Sequence, residues 1–525
     1  MASERLLISL NGIDLCLAHS HKLIDTQISN LLRTTFNCNS YLDMIKLIQF
    51  SKTVGLFSIL IQLITGEYVL YDTIADIKQH RKLSNKLLDV LLNCYKSNIY
   101  SNIDHLFTFI SYNRTYFCSY HNQSNRGFYQ KVATFLISIC NDLRQCFCSK
   151  LSKHVSGNPI KIGFISDILT NGSSVAKDRL GIIKSLYNDH NFDVKIITRN
   201  EINSIDHFFK TIVFEDKFDS IFMDINGSLS NNRHQIQSEH FDILVFPEIG
   251  MCQKNRLLAF SRCAPIQITT WGHSDTSGLP EIDYYVSSKY FNDQTDDEYF
   301  SEKLILLDSI GTYYYNLPKI LNIVDIDVSD IIGEFNKFAS NINVQNPHFY
   351  GCMQTYFKLH PSFIDMLSDL LTKDKSAILI MLVNSRNPEI VNYINRHLKT
   401  DRIMIVYSLE YAKFCKHLKA VDILLDYYPF GGFNSTMESF AMGKIVITRT
   451  SRWISGRFTT GLYQKMNMDE FITKNKSDYI NKAIEYASNI EKRLKFEQII
   501  KSKSDCLFCD NDSINDWKKF LTSLC

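Results

Sequence analysis

FDILVFPEIGMCQKNRLLAFSRCAPIQITTWGHSDTSGLPEIDYYVSS, running from Phe241 to Ser288, is the stretch whose reading decides the fold. Two short apolar runs, Ile243–Phe246 and Pro265–Ile268, bracket a polar, helix-compatible segment from Gln253 to Ser261. Strand, helix, strand in that rhythm is the pattern of a parallel α/β layer. The next loop, Trp271-Gly272-His273-Ser274-Asp275-Thr276-Ser277-Gly278, is dense in hydroxyls and carries one His and one Asp. It stands at the carboxyl end of a strand, where open α/β sheets bind their ligands.

The same rhythm extends in both directions. Ile160–Asp167, Val194–Thr198, Ser220–Met223 and Leu304–Leu307 read as further strands of a Rossmann-like lobe over residues 158–318. A second such lobe, 346–525, has strands at Phe349–Cys352, Ala377–Val383, Arg402–Tyr407, Val421–Leu425 and Ile445–Thr448. Helical segments run from Ser362 to Leu371 and, at the end, from Ser513 to Leu524. Strands alternating with helices predict parallel sheets, so the fold class is α/β with two lobes facing a cleft. Residues 319–345 read as a weakly structured connector. Asp325-Ile326-Asp327 within it has the form of a metal-binding DxD, but in a connector it reads as solvated linker.

Residues 1–155 contain no proline and show apolar residues at three- and four-residue spacing in Leu83–Leu92 and Val132–Leu143. They read as an all-α domain. It serves either as a surface that selects an acceptor or partner, or as a stabilising cap. No self-similarity at the period of about 34 residues marks a tetratricopeptide array.

Composition narrows the function classes. The chain has 525 residues and 45% hydrophobic content, room for about three domains. Lys plus Arg number 57 against 55 Asp plus Glu, a net charge of +2, which argues against a general binder of nucleic acid or anionic membrane. The most apolar run, Val54–Thr65, is broken by Gln62 and falls short of the ~20 residues a membrane span needs. The amino terminus lacks the basic and long apolar regions of a signal peptide. The 14 cysteines show no secreted-domain spacing, and Cys506 and Cys509 form a CxxC without a second pair. Cys140, Cys146 and Cys148 have no His or Asp partner at ligand spacing. The expectation is a soluble cytoplasmic protein with reduced thiols, no membrane insertion and no metal.

The residues that can carry chemistry lie at strand ends. Asp426 to Glu438, DYYPFGGFNSTME, leads from a strand through two glycines into a helix starting near Asn434. A helix start offers unpaired amides and a favourable dipole to a phosphate. Ser435 and Thr436 add hydroxyls, and Gly431 and Gly432 let the backbone approach closely. An ordinary Asn cap after a turn reads equally well from these residues alone. On the first-lobe side His273, Asp275, Glu248 and Asp242 are candidates to deprotonate or orient an acceptor, with His273 first and Glu248 second.

Several blocks in order resemble the O-linked N-acetylglucosamine transferase family (glycosyltransferase family 41), which includes bacterial protein glucosyltransferases and SPINDLY-like enzymes. The blocks are Arg262-Cys263-Ala264-Pro265-Ile266-Gln267, Gly272, Thr276-Ser277-Gly278, Asp283-Tyr284, Gly311-Thr312, Gln354 with Lys358, Asn434 to Glu438, and Gly456-Arg457-Phe458. The resemblance, from about Ile160 to Asn467, implies a GT-B fold and an inverting, metal-independent transfer of N-acetylglucosamine or a hexose from a UDP-sugar to a protein side chain. Lys358 would then lie on the donor phosphates, with Gln354 beside it, and Glu438 would hold the ribose hydroxyls. Phe414 would stack on the base, and Arg457 would touch the donor or an inter-lobe carboxylate. Thr276, Ser277, Gly278 and Asp275 would lie on the acceptor side. Two family histidines are absent. Ser173 or Gly172 stands in the first loop, and Phe414 stands near the base with His417 one turn on. Two alternatives stay open: transfer to a glycan or small molecule, and a decayed transferase that serves as a scaffold.

Overall fold

The computed structural model describes residues 70–94, 99–109, 114–148, 154–155, 157–169, 173–199 and 221–525. The apolar run 54–65 and loop residues 170–172 lie outside them. Thirteen strands are described, and all pair in parallel. They are β1 (Ile160–Ile165), β2 (Phe192–Thr198), β3 (Phe222–Asp224), β4 (Ile243–Phe246), β5 (Ile266–Thr270), β6 (Tyr284–Ser288), β7 (Lys303–Leu307), β8 (His348–Cys352), β9 (Ala377–Val383), β10 (Ile403–Tyr407), β11 (Ile423–Leu425), β12 (Val446–Arg449) and β13 (Ile472–Thr473).

The first sheet runs β3-β2-β1-β4-β5-β6-β7 and the second β10-β9-β8-β11-β12-β13. Each reverses direction beside its first strand, and that switch point opens a crevice at the carboxyl ends of the strands. Every residue of β4, Ile-Leu-Val-Phe, is buried, and β9, Ala-Ile-Leu-Ile-Met-Leu-Val, is nearly so. Helices cover both faces, which is why these strands read as continuous apolar runs rather than alternating ones. The expected α/β class with two facing lobes is what forms: the GT-B arrangement.

Two strands escaped the sequence reading. β6 ends in Ser287-Ser288, both buried because their hydroxyls donate to Asn292 Oδ1 (2.7 Å) and the Ser309 carbonyl (2.6 Å). β13 has two residues. The connector requires a correction: Ser329–Asn341 is a helix. Its Ile331, Phe335 and Ala339, four apart, form one narrow buried face, with Phe335 5.2 Å from Phe349. Asp325 pairs with Lys501 at 2.9 Å and Asp327 accepts from the Ser329 amide at 3.0 Å, so both acids of the DxD have local partners.

The described helices before β1 are Ile74–Cys94, Ile103–Phe109 and Arg126–Ile139, with 3-10 helices at Arg114–His121 and Asn141–Arg144. Their core residues, among them Leu88, Phe128 and Leu136, merge with Leu244, Phe246 and Phe260 of the first sheet layer. The last helix, Asn511–Leu524, returns to the first sheet layer. Trp517 Nε1 donates to the Gly311 carbonyl at 3.0 Å, and Lys518 meets Asp189 at 2.6 Å. No helix among the described residues is long and apolar enough to cross a membrane.

Candidate active site

On the second-lobe side the site is built outward from Asp426, buried at the end of β11. Its Oδ1 accepts from Gln354 Nε2 and from the Gly432 amide, both at 2.8 Å, and its Oδ2 accepts from Thr448 Oγ1 at 2.8 Å. A Cβ on Gly431 would lie 2.6 Å from Asp426 Oδ2, so the chain here has to be glycine. The carboxylate thereby pins the loop that leads into the helix Asn434–Ala441.

Lys358 closes this network. Its Nζ donates to Gln354 Oε1 at 2.9 Å and to the Gly431 carbonyl at 2.6 Å, and lies 4.6 Å from the Phe430 ring centroid. Burial pushes its pKa down to about 8, with Asp426 opposing the fall. The residue capping the helix start is Phe433 rather than Asn434, and Asn434 Oδ1 is buried without a hydrogen bond. Gln354, Lys358, Asn434, Ser435 and Thr436 are therefore assembled at one helix start. The Thr436 hydroxyl meets Thr459 Oγ1 at 2.9 Å.

Three expected donor residues have protein partners of their own, and Arg457 meets the inter-lobe carboxylate expected of it. Glu438 is buried and pairs with Lys177, from the helix Ser174–Tyr187 of the other lobe. Lys177 also lies 4.5 Å from the Tyr411 ring. Phe414, one turn beyond Tyr411, packs against Ile323, Cys415 and Met442. Arg457 donates to Asp296 Oδ2 at 2.6 Å and to the Phe291 carbonyl at 3.4 Å, so it clasps the two lobes together.

The acceptor side also needs revision. His273 is 5% exposed and stacks on Tyr116, with centroids 4.9 Å apart. Burial, reinforced by Arg256, drives its pKa down to about 3, which removes the driving force for a general base. Glu248, 1% exposed at the end of β4, accepts from Asn255 Nδ2 at 3.0 Å, and burial raises its pKa to about 8, leaving it a neutral acid at pH 7. Asp242 lies at the amino end of β4, accepting from the Lys161 amide at 2.8 Å, on the far edge from the crevice.

Asp275 differs from these. It is half-buried, accepts from Asn125 Nδ2 at 2.5 Å and from the Thr276 amide at 2.9 Å, and burial raises its pKa to about 7. It lines a crevice where the two lobes and the N-terminal helices meet, together with Ser119, Asn125, Asp296, Arg452 and Trp453.

Thr276, Ser277 and Gly278 hold structure. Thr276 Oγ1 and the Ser277 amide donate to the two oxygens of Glu302, each at 2.7 Å. Gly278 has φ +70° and lies against Tyr129, where a Cβ has no room. The Arg262–Tyr284 block is a clamp between β5 and β6. Arg262 donates to Glu281 Oε2 (3.0 Å) and to both oxygens of Asp283 (2.6 and 3.1 Å). Gln267 donates to the Ser261 and Glu281 carbonyls (3.1 and 2.8 Å) and accepts from the Cys263 amide (2.9 Å). Lys177, Tyr411, Phe430 and Asp426 were missed as site residues. Only Asp426 carried a sequence signal, an acid at a strand end before glycines.

Comparison with known proteins agrees with this fold. No family model matches the chain. It is 24% identical over 274 residues to the UDP-glucose:protein N-beta-glucosyltransferase of Actinobacillus pleuropneumoniae serotype 5b, covering 51% of this chain and 42% of that protein. It is 22% identical over 383 residues to Hordeum vulgare SPINDLY, described as a probable UDP-N-acetylglucosamine–peptide N-acetylglucosaminyltransferase, covering 68% and 37%. The chain thus spans less than half the length of these curated relatives. A mutant O-GlcNAc transferase of Thermobaculum terrenum superposes with a TM-score of 0.65 at 15% identity, covering 93% of this chain and 88% of that one, which supports the fold. Ordered motifs, two switch-point sheets and these matches bear out the chain's resemblance to the O-linked N-acetylglucosamine transferase family and its bacterial protein glucosyltransferases.

Proposed function

We propose that the protein is an inverting, metal-independent glycosyltransferase that moves N-acetylglucosamine or a hexose from a UDP-sugar to a protein Ser, Thr or Asn side chain. The observation that carries this is the Lys358 ammonium, tied through Gln354 and Gly431 to the start of the Asn434 helix. Amides and an ammonium converging there suit a departing diphosphate, so charge developing on the leaving group is met by the lysine and the helix start rather than by a metal ion. Glu438, paired with Lys177, accepts from the ribose hydroxyls in this reading. The acceptor enters from the crevice of Asp275. Its oxygen or nitrogen bonds to the anomeric carbon while the bond to the diphosphate breaks on the opposite face, and its proton passes to the Asp275 carboxylate.

Asp275 then sets the pH dependence. Its raised pKa means the base form grows as pH rises through about 7, so the rate climbs there and falls again once the Lys358 ammonium is lost near 8. Asp275→Asn is expected to lose about 10²- to 10⁴-fold in kcat and the rising limb with it. A pH–rate profile of both proteins checks this, and an unchanged profile in the variant removes Asp275 from the mechanism.

The test of the function is calorimetric titration with UDP, UDP-glucose and UDP-N-acetylglucosamine in a chelator, followed by a peptide-acceptor screen with the donor that binds. Micromolar UDP binding that is lost in Lys358→Ala supports the transferase. No binding of any nucleotide moves the reading to a scaffold, and transfer to glycans but not peptides changes the acceptor.

A further inference from the structure

The donor lysine is gripped from a part of the chain outside both lobes. The 3-10 helix Arg114–His121 brings three aromatic rings between them. Tyr120 lies on Phe430 in a stacked pair, centroids 4.3 Å apart and planes 25° apart. The same Phe430 ring carries the Lys358 ammonium at 4.6 Å. Phe357, the chain neighbour of Lys358, is met edge-on by Tyr116, Phe117 and Tyr120 at 6.2, 5.8 and 5.3 Å. Tyr120 donates its hydroxyl to that of Tyr116 at 2.7 Å, and Tyr116 stacks on His273 of the first lobe. Tyr120 itself is 7% exposed. The ring next to Lys358 in sequence and the ring next to it in space are thus both seated by one short element.

We propose that Tyr120 is a positioning residue for the donor-binding lysine: by stacking on Phe430 it holds that ring against the Lys358 ammonium and keeps water from it. This rests on reading Lys358 as the ligand of the donor diphosphate. A ring face attracts an ammonium when it is held over it and dry, and a mobile ring does neither. Phe430 released from Tyr120 regains its rotamers and opens a path for solvent.

The groups facing Lys358 define the readout. They are Asp426 and the Gln354 and Gly431 oxygens on its own lobe; His360 stands two residues on, and Tyr116, Tyr120 and His121 belong to the 3-10 helix that packs on Phe357 and Phe430. Burial lowers both histidines, His360 to about 4, and raises both tyrosines above their ordinary value. Lys358, near 8, is the group among these whose shifted pKa falls between pH 7 and 9.5. Its ammonium exists below that value, so UDP affinity falls as pH rises through it. Admitting water returns the lysine toward its ordinary, higher pKa and moves the fall to higher pH.

The experiment is UDP titration from pH 7 to 9.5 on the full chain, for the native protein, Tyr120→Phe, Tyr120→Ala and Phe430→Leu, beside Lys358→Ala. The native protein and Tyr120→Phe are expected to share one profile, with the midpoint near 8. Tyr120→Ala and Phe430→Leu are expected to bind UDP about tenfold more weakly at pH 7, with the midpoint moved up by about one pH unit. An unmoved midpoint in Tyr120→Ala overturns the inference, whether its affinity holds or drops. So does a Tyr120→Phe that behaves like Tyr120→Ala, because stacking is then not what matters. A native protein that fails to bind UDP at all brings down the donor reading itself, which is a distinct result.

Discussion

Lys358→Ala is expected to weaken UDP binding beyond detection at micromolar concentrations and to slow transfer by about 10²- to 10³-fold, the size of losing one preorganised charge at a leaving group. The reason is local. The ammonium is the cationic group held at the Asn434 helix start, and two hydrogen bonds of 2.9 and 2.6 Å fix its position. The side chain ends a three-residue 3-10 helix and is half-buried, so its loss removes little packing. The variant should therefore fold like the native protein, and the lost binding should be a site effect. Lys358→Arg is not expected to rescue, because a planar guanidinium does not fit the pocket of a point charge formed by Gln354, Gly431 and Phe430. Gln354→Ala, which removes one bond to Asp426 and one to the lysine, should cost less, about tenfold. Calorimetry on the three variants checks the ranking. UDP affinity within threefold of native in Lys358→Ala would remove the lysine from the donor site.

The second large effect is on stability. Arg262 is 1% exposed, and Arg262→Ala leaves Glu281 and Asp283 without the guanidinium that neutralises both. Removing one partner of a buried ion pair costs about 3–5 kcal/mol, because the remaining charge stays buried. Arg144, 3.0 Å from Glu281, compensates only one of the two acids. For a lobe of this size the loss corresponds to a fall in melting temperature on the order of 10 °C. Calorimetric melting, with hydrogen exchange followed in β5 and β6, measures it. A fall below about 2 °C would mean that the acids find other partners. Arg262→Lys should fall between, since an ammonium cannot span both oxygens of Asp283 and reach Glu281. The Arg262–Tyr284 block is thus a structural clamp, and its loss should act on stability.

Much of the fold was legible because parallel strands covered on both faces are written as unbroken apolar runs. Ile243–Phe246 and Ala377–Val383 are such runs, and each was found. Tyr284–Ser288 was not, since its serines are satisfied by partners at Asn292 and Ser309 that no local pattern announces. The connector helix Ser329–Asn341 was missed because its buried face is one narrow row, Ile331, Phe335 and Ala339.

The site divides in the same way. By itself the sequence determined the order of two switch-point lobes, the glycine loop running from Asp426 into the Asn434 helix, and Gln354 one turn before Lys358. Those relations are local: strand end to helix start, and four residues along the chain. The tertiary structure alone decided what His273, Glu248 and Asp275 can do, because burial sets their pKa values and burial comes from distant segments such as the 3-10 helix that carries Tyr116. It alone joined Lys177 to Glu438, 261 residues apart, and Arg457 to Asp296, 161 apart. It alone set Tyr120 on Phe430. A contact between residues so far apart along the chain is fixed by how the layers pack, and no spacing along the chain encodes it.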